Sequence, residues 1–125
     1  MVGMFYKVPT FNGDISKWDV SSVTTMAYMF FGAPSFNGDI SKWDVSSVID
    51  MEEMFYEATL FNGDISDWDV FSVTKMEQMF FGASSFAQTL CGAWYTSKAN
   101  KDGMFDGSSG RICKSTSTTT STFNG

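Results

Sequence analysis

Histidine is absent from this chain of 125 residues, and cysteine and proline occur only twice each. Without histidine there is no Ser-His or Cys-His pair to activate a nucleophile, and no imidazole to complete a zinc site with the two cysteines. No glycine-rich phosphate loop precedes a helical pattern either. We therefore expect a protein that is not an enzyme and that binds no cofactor and no metal.

The sequence also lacks an apolar run long enough for a signal peptide or a membrane span, so we expect no direct membrane insertion. A signal peptide upstream of Met1 would be compatible with this absence. Lysine and arginine number 8 against 14 aspartates and glutamates, which gives a net charge of -6. This acidic balance argues against nucleic acid and anionic membranes as partners.

What the chain does contain is a repeat with a period of 25 residues. Copies of Phe-Asn-Gly-Asp-Ile-Ser start at Phe11, Phe36 and Phe61, and each is followed by Trp-Asp-Val and then by Met-Phe. A fixed period of this size predicts stacked units, because one unit cannot bury its apolar face alone. We expect equivalent apolar side chains to form one continuous core.

The repeat divides residues 1–113 into a half repeat (1–10), three full repeats (11–35, 36–60 and 61–85) and a degenerate C-terminal capping coil (86–113). Met1 occupies an ordinary internal methionine position. We therefore expect a fragment of a longer array, with a complete chain that exposes half a coil as the alternative. Residues 114–125 are rich in serine and threonine, which predicts a linker or tail.

Two patterns within each unit predict its secondary structure. The apolar spacing from Ile15 to Val20 is the strand signature of leucine-rich repeats, and it predicts a short parallel strand centred on Trp18, with copies at Trp43 and Trp68. Apolar residues then recur at three- and four-residue intervals, which predicts a helical turn or short helix. The predicted fold class is a repeat solenoid, a leucine-rich-repeat-like stack of short parallel strands and helical turns with about four coils.

The predicted strands would display an acidic ladder. Because strand side chains alternate between faces, the aspartate after each repeat tryptophan would point away from the core. A lysine precedes the first two of these tryptophans, whereas aspartate takes its place in the third repeat. The candidate binding face therefore consists of Asp19, Asp44, Asp69, Lys17, Lys42 and Asp67.

Each full repeat opens on Asn-Gly-Asp, at residues 12–14, 37–39 and 62–64. These are turn-forming residues whose side chains bond nearby backbone amides, and a calcium site is the alternative. Calcium takes about six to eight oxygen ligands, which two carboxylates per unit do not obviously supply. We therefore expect turns, and no calcium at the cluster of Asp64, Asp67 and Asp69.

The two cysteines, Cys91 and Cys113, fall in adjacent predicted coils. Stacking could bring them near the Cα separation of about 5.5 Å that a disulfide requires. We expect a disulfide here, with two free buried thiols or a metal pair as alternatives. A disulfide would indicate an oxidising compartment.

Two further features concern assembly and modification. Met4, Phe5 and Val8 in the half repeat would form an exposed apolar assembly edge. No Asn-x-Ser/Thr sequon occurs, so we expect no N-linked glycan. The candidate O-glycosylation sites are Ser115, Thr116, Ser117, Thr118, Thr119, Thr120, Ser121 and Thr122.

The unit Phe-Asn-Gly-Asp-Ile-Ser-x-Trp-Asp-Val-Ser-Ser-Val-x-x-Met-x-x-Met-Phe resembles the BspA-like leucine-rich-repeat surface proteins. The match is close from Met1 to about Phe86 and extends loosely to Cys113. The resemblance implies a right-handed solenoid, secretion or surface display, and adhesion without catalytic residues. We therefore expect an extracellular or cell-surface module that binds a protein or glycan partner. The alternative is a structural protein that assembles with its own copies, head-to-tail or laterally, into filaments or a surface layer.

Overall fold

The computed structural model describes residues 1–114. Regular secondary structure in this part of the chain consists of strand β1 (Thr89–Leu90), helix α1 (Ala93–Thr96) and strand β2 (Arg111–Ile112). The two strands pair in parallel along both of their residues. All three elements therefore lie after the third full repeat, and the repeats themselves consist of turns and extended segments.

The predicted solenoid of parallel strands and helical turns is wrong. Within residues 1–114, no strand passes through Trp18, Trp43 or Trp68. The amide of Trp18 instead closes a turn onto the carbonyl of Ile15, at 3.1 Å. The repeats contribute only isolated parallel bridges, which join Thr25, Asp50, Lys75 and Asn100 in succession.

Consecutive tight turns replace the predicted helix of each repeat. In the first full repeat, the amides of Met29, Phe31 and Ala33 donate to the carbonyls three residues earlier, at 3.1 to 3.2 Å. The turns are interrupted by left-handed backbone at Tyr28 (φ 59°) and Gly32 (φ 62°), which a right-handed helix does not tolerate. Such turns also bring apolar residues to one side every three or four positions, so the spacing alone does not distinguish them from a helix.

Left-handed residues recur at the same two places of every unit. Those places are occupied by Gly3, Lys7, Tyr28, Gly32, Glu53, Glu57, Gln78, Gly82, Gly103 and Gly107. The backbone therefore follows one path in all units, although only some of these positions carry the glycine that left-handed backbone favours.

Equivalent residues of consecutive repeats lie side by side. The amide of Met26 donates to the carbonyl of Asp50 (2.9 Å), and the amide of Phe30 donates to the carbonyl of Met54 (2.8 Å). Between these positions, the amide of Tyr28 also donates to the next repeat, at the carbonyl of Glu52 (3.0 Å), whereas the amide of Met29 donates within its own turn to Met26 (3.2 Å). Because bonds between repeats alternate with bonds inside a turn, the chain pairs with its neighbours without forming extended strands.

The apolar positions that the repeats share form one buried core. Its rings make two rows, one of Phe30, Phe55 and Phe80 with centroids 5.4 Å apart, and one of Phe36, Phe61 and Phe86 with centroids 5.9 Å apart. Buried methionine, isoleucine, valine and tryptophan side chains fill the remaining space. This core leaves the aspartates and serines of each repeat on the surface.

Candidate functional site

The carboxylates of the candidate binding face are exposed and held in fixed positions. Oδ1 of Asp19 accepts the amide of Ser21 at 3.0 Å and its hydroxyl at 2.6 Å. Asp44 makes the same two bonds with Ser46. These aspartates therefore lie in turns, where the side chain replaces a backbone acceptor, and not on strands.

The third member of this row differs from the first two. Asp69 accepts the amide of Phe71 at 3.0 Å, and phenylalanine has no hydroxyl to offer a second bond. The third repeat therefore holds its carboxylate with one hydrogen bond in place of two.

A second row of carboxylates runs through the same turns, formed by Asp14, Asp39 and Asp64. Each accepts both the amide and the hydroxyl of the serine two residues later, at 2.6 to 3.0 Å. This is the turn-forming role expected for the aspartate of Asn-Gly-Asp. The two rows give each full repeat two exposed, oriented carboxylates.

Hydrogen bonds from serines lower the pKa of five of these carboxylates, those of Asp14, Asp19, Asp39, Asp44 and Asp64. The Ser21 hydroxyl, followed by the Ser21 amide, lowers the pKa of Asp19, and the equivalent serine bonds lower the pKa of Asp44. The negative charge of Asp19 acts in the opposite direction and raises the pKa of Asp44, so carboxylates of neighbouring repeats are close enough to repel one another. The surface therefore carries rows of fixed negative charge at neutral pH.

The two lysines accompany the second row. After the serine hydrogen bonds, Lys17 contributes to the lowered pKa of Asp14, and Lys42 does the same for Asp39. No lysine takes part in lowering the pKa of Asp64, since its repeat carries Asp67 in that place. Lys17, Lys42 and Asp67 are all exposed, so the third repeat presents the most negative part of this surface.

Asparagine side chains link the repeats beside these rows. Oδ1 of Asn12 accepts the amide of Asn37, and Oδ1 of Asn37 accepts the amide of Asn62, both at 3.0 Å. Asn62 continues the series to Ala87, at 2.9 Å. The carboxylate-bearing turns are therefore tied to one another, which fixes the spacing of the rows.

Residues 1–114 contain no group of three or more histidine, cysteine, aspartate or glutamate side chains that could hold a metal ion. Asp64, Asp67 and Asp69 do not form such a group. Within the same residues, no helix has the length and apolar character needed to cross a membrane.

The predicted disulfide between Cys91 and Cys113 is confirmed, with their Cα atoms 4.9 Å apart. Cys91 directly follows β1 and Cys113 directly follows β2, so the parallel pairing of these strands brings the two residues together. The amide of Cys113 also donates to the carbonyl of Leu90, at 2.9 Å.

The candidate assembly edge is partly exposed. Met4 and Val8 are exposed, whereas Phe5 is half-buried and stacks on Phe11 with ring centroids 3.8 Å apart. Sequence reasoning missed Val2 and Tyr6, which are also exposed at this end. The candidate O-glycosylation sites, Ser115 to Thr122, lie outside the described residues.

One exposed aromatic residue was also missed. Phe71 is 86% exposed and stands where the other repeats carry Ser21 and Ser46. Comparison of the three copies, position by position, would have found it. A cavity of about 220 Å³ lies beside its ring, lined by Phe71, Val73, Thr74, Thr96, Ser97 and Lys98.

The fold and this surface together define a turn-rich repeat protein whose surface presents rows of oriented carboxylates. More specifically, the chain belongs to the family described as "Mycoplasma protein of unknown function, DUF285", which matches residues 1–117. No curated protein and no solved structure matches the chain.

Proposed function

We propose that this chain is a non-catalytic binding module that is secreted or displayed on a cell surface, as in the BspA-like surface proteins that its repeats resemble. The observation that carries the proposal is the recurrence of one exposed, oriented carboxylate in every full repeat, at Asp19, Asp44 and Asp69. Its partner is a protein or glycan of a cell surface that presents cationic groups to this row.

Pre-organisation supports a binding role. The turn bonds hold each carboxylate before a partner arrives, so less side-chain entropy is lost on binding. Asparagine bonds between the repeats hold the spacing of the turns in the same way. A row of this kind suits a partner with a regular series of positive charges, because complementary potentials determine specificity and association rate.

The disulfide supports the proposed location. Disulfides persist in oxidising compartments such as the extracellular space and are rare in the cytosol. Labelling of intact native cells with a membrane-impermeant biotin reagent tests this part of the proposal. We expect the protein to be labelled or recovered from the medium with Cys91 and Cys113 oxidised, whereas reduced thiols in a protein that labels only after lysis would contradict it.

The binding test uses the triple variant Asp19→Asn, Asp44→Asn and Asp69→Asn. Asparagine keeps the side-chain oxygen that closes each turn and removes only the charge. The matched control, Glu57→Gln with Asp102→Asn and Asp106→Asn, removes the same charge from three exposed carboxylates outside the row.

Binding is measured on arrays of purified surface proteins and glycans, at low and high salt. We expect the unmodified protein to bind a cationic partner, the row variant to lose that binding and the control to keep it. Equal loss in both variants would show that only net charge matters, and the proposal would then be wrong.

Self-association is the second candidate function, and a pattern of backbone groups favours it. The carbonyls of Val2, Met4 and Tyr6 accept no hydrogen bond within residues 1–114, and in the same part of the chain the amides of Gly103 and Phe105 donate none. At each internal junction, groups in these positions pair with one another. One copy could therefore add its first residues to the last unit of another, a head-to-tail contact that propagates.

Sedimentation velocity over a wide concentration range tests this candidate. We expect assemblies that persist at high salt, since backbone pairing and apolar contact do not depend on opposite charges. Met4→Lys with Tyr6→Lys should abolish them, and Val2→Thr is a milder control at the same edge. A single monomeric species at all concentrations would exclude this function.

A further inference from the structure

Phe71 contributes little to the fold, although it replaces a residue that does. The hydroxyls of Ser21 and Ser46 each donate to a turn aspartate at 2.6 Å in the other two repeats. Phe71 offers only its amide to Asp69, and its ring is 86% exposed. Serine would hold this turn with one more hydrogen bond, and a residue that is 86% exposed gains little stability from burial.

The cavity beside Phe71 arises where the repeat pattern breaks down. Its lining combines the third repeat (Phe71, Val73 and Thr74) with the end of α1 and the residues that follow it (Thr96, Ser97 and Lys98). Within residues 1–114, no other full repeat is followed by a helix. This cavity therefore differs from the repeated turn surfaces and can give the array one unique contact point.

Two exposed apolar residues are backbone neighbours of residues that line the cavity. Ile49 is exposed and lies next to Thr74, whose amide donates to the Ile49 carbonyl at 2.8 Å. Tyr95, in α1, is also exposed and directly precedes Thr96. Each group of lining residues therefore has an exposed apolar neighbour, and exposed apolar patches are typical of protein-binding surfaces.

The size of the cavity decides which class of ligand fits. An apolar cavity of about 150 Å³ holds a benzene molecule, whereas pockets for drug-sized molecules measure roughly 300 to 1,000 Å³. The volume here, about 220 Å³, suits one aromatic or branched aliphatic side chain. A protein segment that inserts a single side chain fits better than a complete small molecule or an oligosaccharide.

The charge of the lining indicates what accompanies that side chain. Among the residues that the structure describes, Lys98 is the one charged residue that lines the cavity. Asp69 lies on the backbone side of Phe71, where its carboxylate accepts the Phe71 amide. An anchor side chain with a neighbouring carboxylate would therefore complement the cavity.

We propose that the cavity between Phe71 and Lys98 docks a protein segment that inserts one aromatic or branched aliphatic side chain and pairs an adjacent carboxylate with Lys98. The proposal rests on the proposed function as a binding module, for which it names the chemistry of a partner. It concerns a different group of residues from the carboxylate rows.

The test uses 3-phenylpropionate, a ring joined to a carboxylate, as the probe, and 3-phenylpropanol as its uncharged counterpart. Binding is followed by amide chemical shifts in NMR spectra. We expect weak, saturable shifts at Phe71, Thr74, Thr96 and Lys98. Lys98→Gln should weaken the binding of 3-phenylpropionate by about two- to fivefold, as expected for an exposed ion pair. The affinity for 3-phenylpropanol should stay the same.

Phe71→Ser is the main variant, because serine is the residue of the other two repeats and closes the same turn. It should abolish the shifts from both probes. Ile49→Thr, which installs the threonine found at the equivalent positions Thr24 and Thr74, should weaken them less. Undiminished binding by Phe71→Ser, or shifts spread over other parts of the chain, would overturn the proposal.

Two further results distinguish this proposal from partner binding by the carboxylate row and from self-association. The double variant Asp19→Asn, Asp44→Asn, which keeps the bond between Asp69 and Phe71, should bind both probes normally, so failure of the row as a partner site would leave the cavity result intact. Concentration-dependent self-association that Phe71→Ser removes would assign the cavity to a second copy of the chain and overturn the proposal of a different partner.

Discussion

The indole Nε1 of Trp68 donates to the carbonyl of Ile40, one repeat earlier, at 3.0 Å. The amide of Trp43 donates to the same oxygen at 3.2 Å. One carbonyl therefore closes the turn of its own repeat and holds the tryptophan of the next. Trp43 makes the same bond to Ile15, and Trp94 makes it to Ile65.

We expect Trp68→Phe to lower the free energy of unfolding by about 2 to 3 kcal/mol, because a hydrogen bond is lost and a cavity is left in the core. Trp18→Phe is the matched control. Because Trp18 is 38% exposed, this variant should lower the free energy of unfolding by less than about 1 kcal/mol. Urea denaturation followed by circular dichroism measures both. Equal losses would show that the contact with Ile40 contributes nothing.

Replacement of Gly82 by alanine should destabilise the protein by about 1 to 2 kcal/mol, the usual cost of a left-handed non-glycine residue. Gly82 has φ +69°, and an added Cβ would lie 3.0 Å from Cγ of Glu57. Glu57 occupies the equivalent left-handed place, with φ 55°. Glu57→Gly should therefore stabilise the protein by about 0.5 to 1 kcal/mol, the strain relieved less the entropy that glycine adds to the unfolded chain. In thermal denaturation, the melting temperature of Gly82→Ala should fall and that of Glu57→Gly should rise. A lower melting temperature for Glu57→Gly would contradict this account.

Reduction of the disulfide should destabilise the protein by about 3 kcal/mol, since Cys91 and Cys113 close a segment with a sequence separation of 22. The double variant Cys91→Ser, Cys113→Ser should match the reduced protein. Amide hydrogen exchange should accelerate mainly around β1, α1 and β2, because the bond joins only this part of the chain. Unchanged exchange there after reduction would be inconsistent with a stabilising role.

Stability should fall steeply as the pH drops below about 4, the ordinary aspartate pKa. Serine hydrogen bonds lower the pKa of Asp14, Asp19, Asp39, Asp44 and Asp64 in the folded protein. A carboxyl with a lowered folded pKa stabilises the fold above its unfolded pKa, and this contribution is lost as the pH falls through the folded pKa. Melting temperature against pH measures the effect.

Glu53 should give a smaller effect of opposite sign at higher pH. Burial, followed by the charges of Glu52 and Glu77, raises its pKa in the folded protein. Its ionisation therefore disfavours the fold, and stability should rise slightly as the pH falls from 7 toward the unfolded glutamate pKa of about 4.3. Glu53→Gln, which introduces the residue found at the equivalent position Gln78, should remove this rise. The loss of stability at acid pH, which the aspartates cause, should remain. A rise that persists in the variant would assign it to another group.

The residues that form the core could be predicted from the sequence. The apolar positions that recur every 25 residues supply the buried core of the second and third repeats, because side chains that stack on their own copies must share size and polarity. In the first repeat, Trp18 is exposed and Phe11 and Val23 are only partly buried. The disulfide and the turn role of Asn-Gly-Asp were also predictable, since both depend on residue chemistry and on the period.

The backbone path was not predictable. Tyr28 and Glu53 adopt left-handed conformations that nothing in their side chains demands, and the turns around them produce the apolar spacing of a helix. Trp94 lies one position later than the period requires, yet its indole reaches the Ile65 carbonyl as the other tryptophans reach theirs. Here α1 takes up the extra residue.

The sequence by itself determined the period, the composition of the core and the residues that close each turn, because these depend on local chemistry and on repetition. Only the tertiary structure decided that residues 11–85 pass from turn to turn without strands, and that Phe71 stands exposed beside a cavity with Lys98. The reason is that the deciding hydrogen bonds, such as that from Met26 to Asp50, join residues about one period apart. Their geometry exists only once neighbouring repeats have packed together.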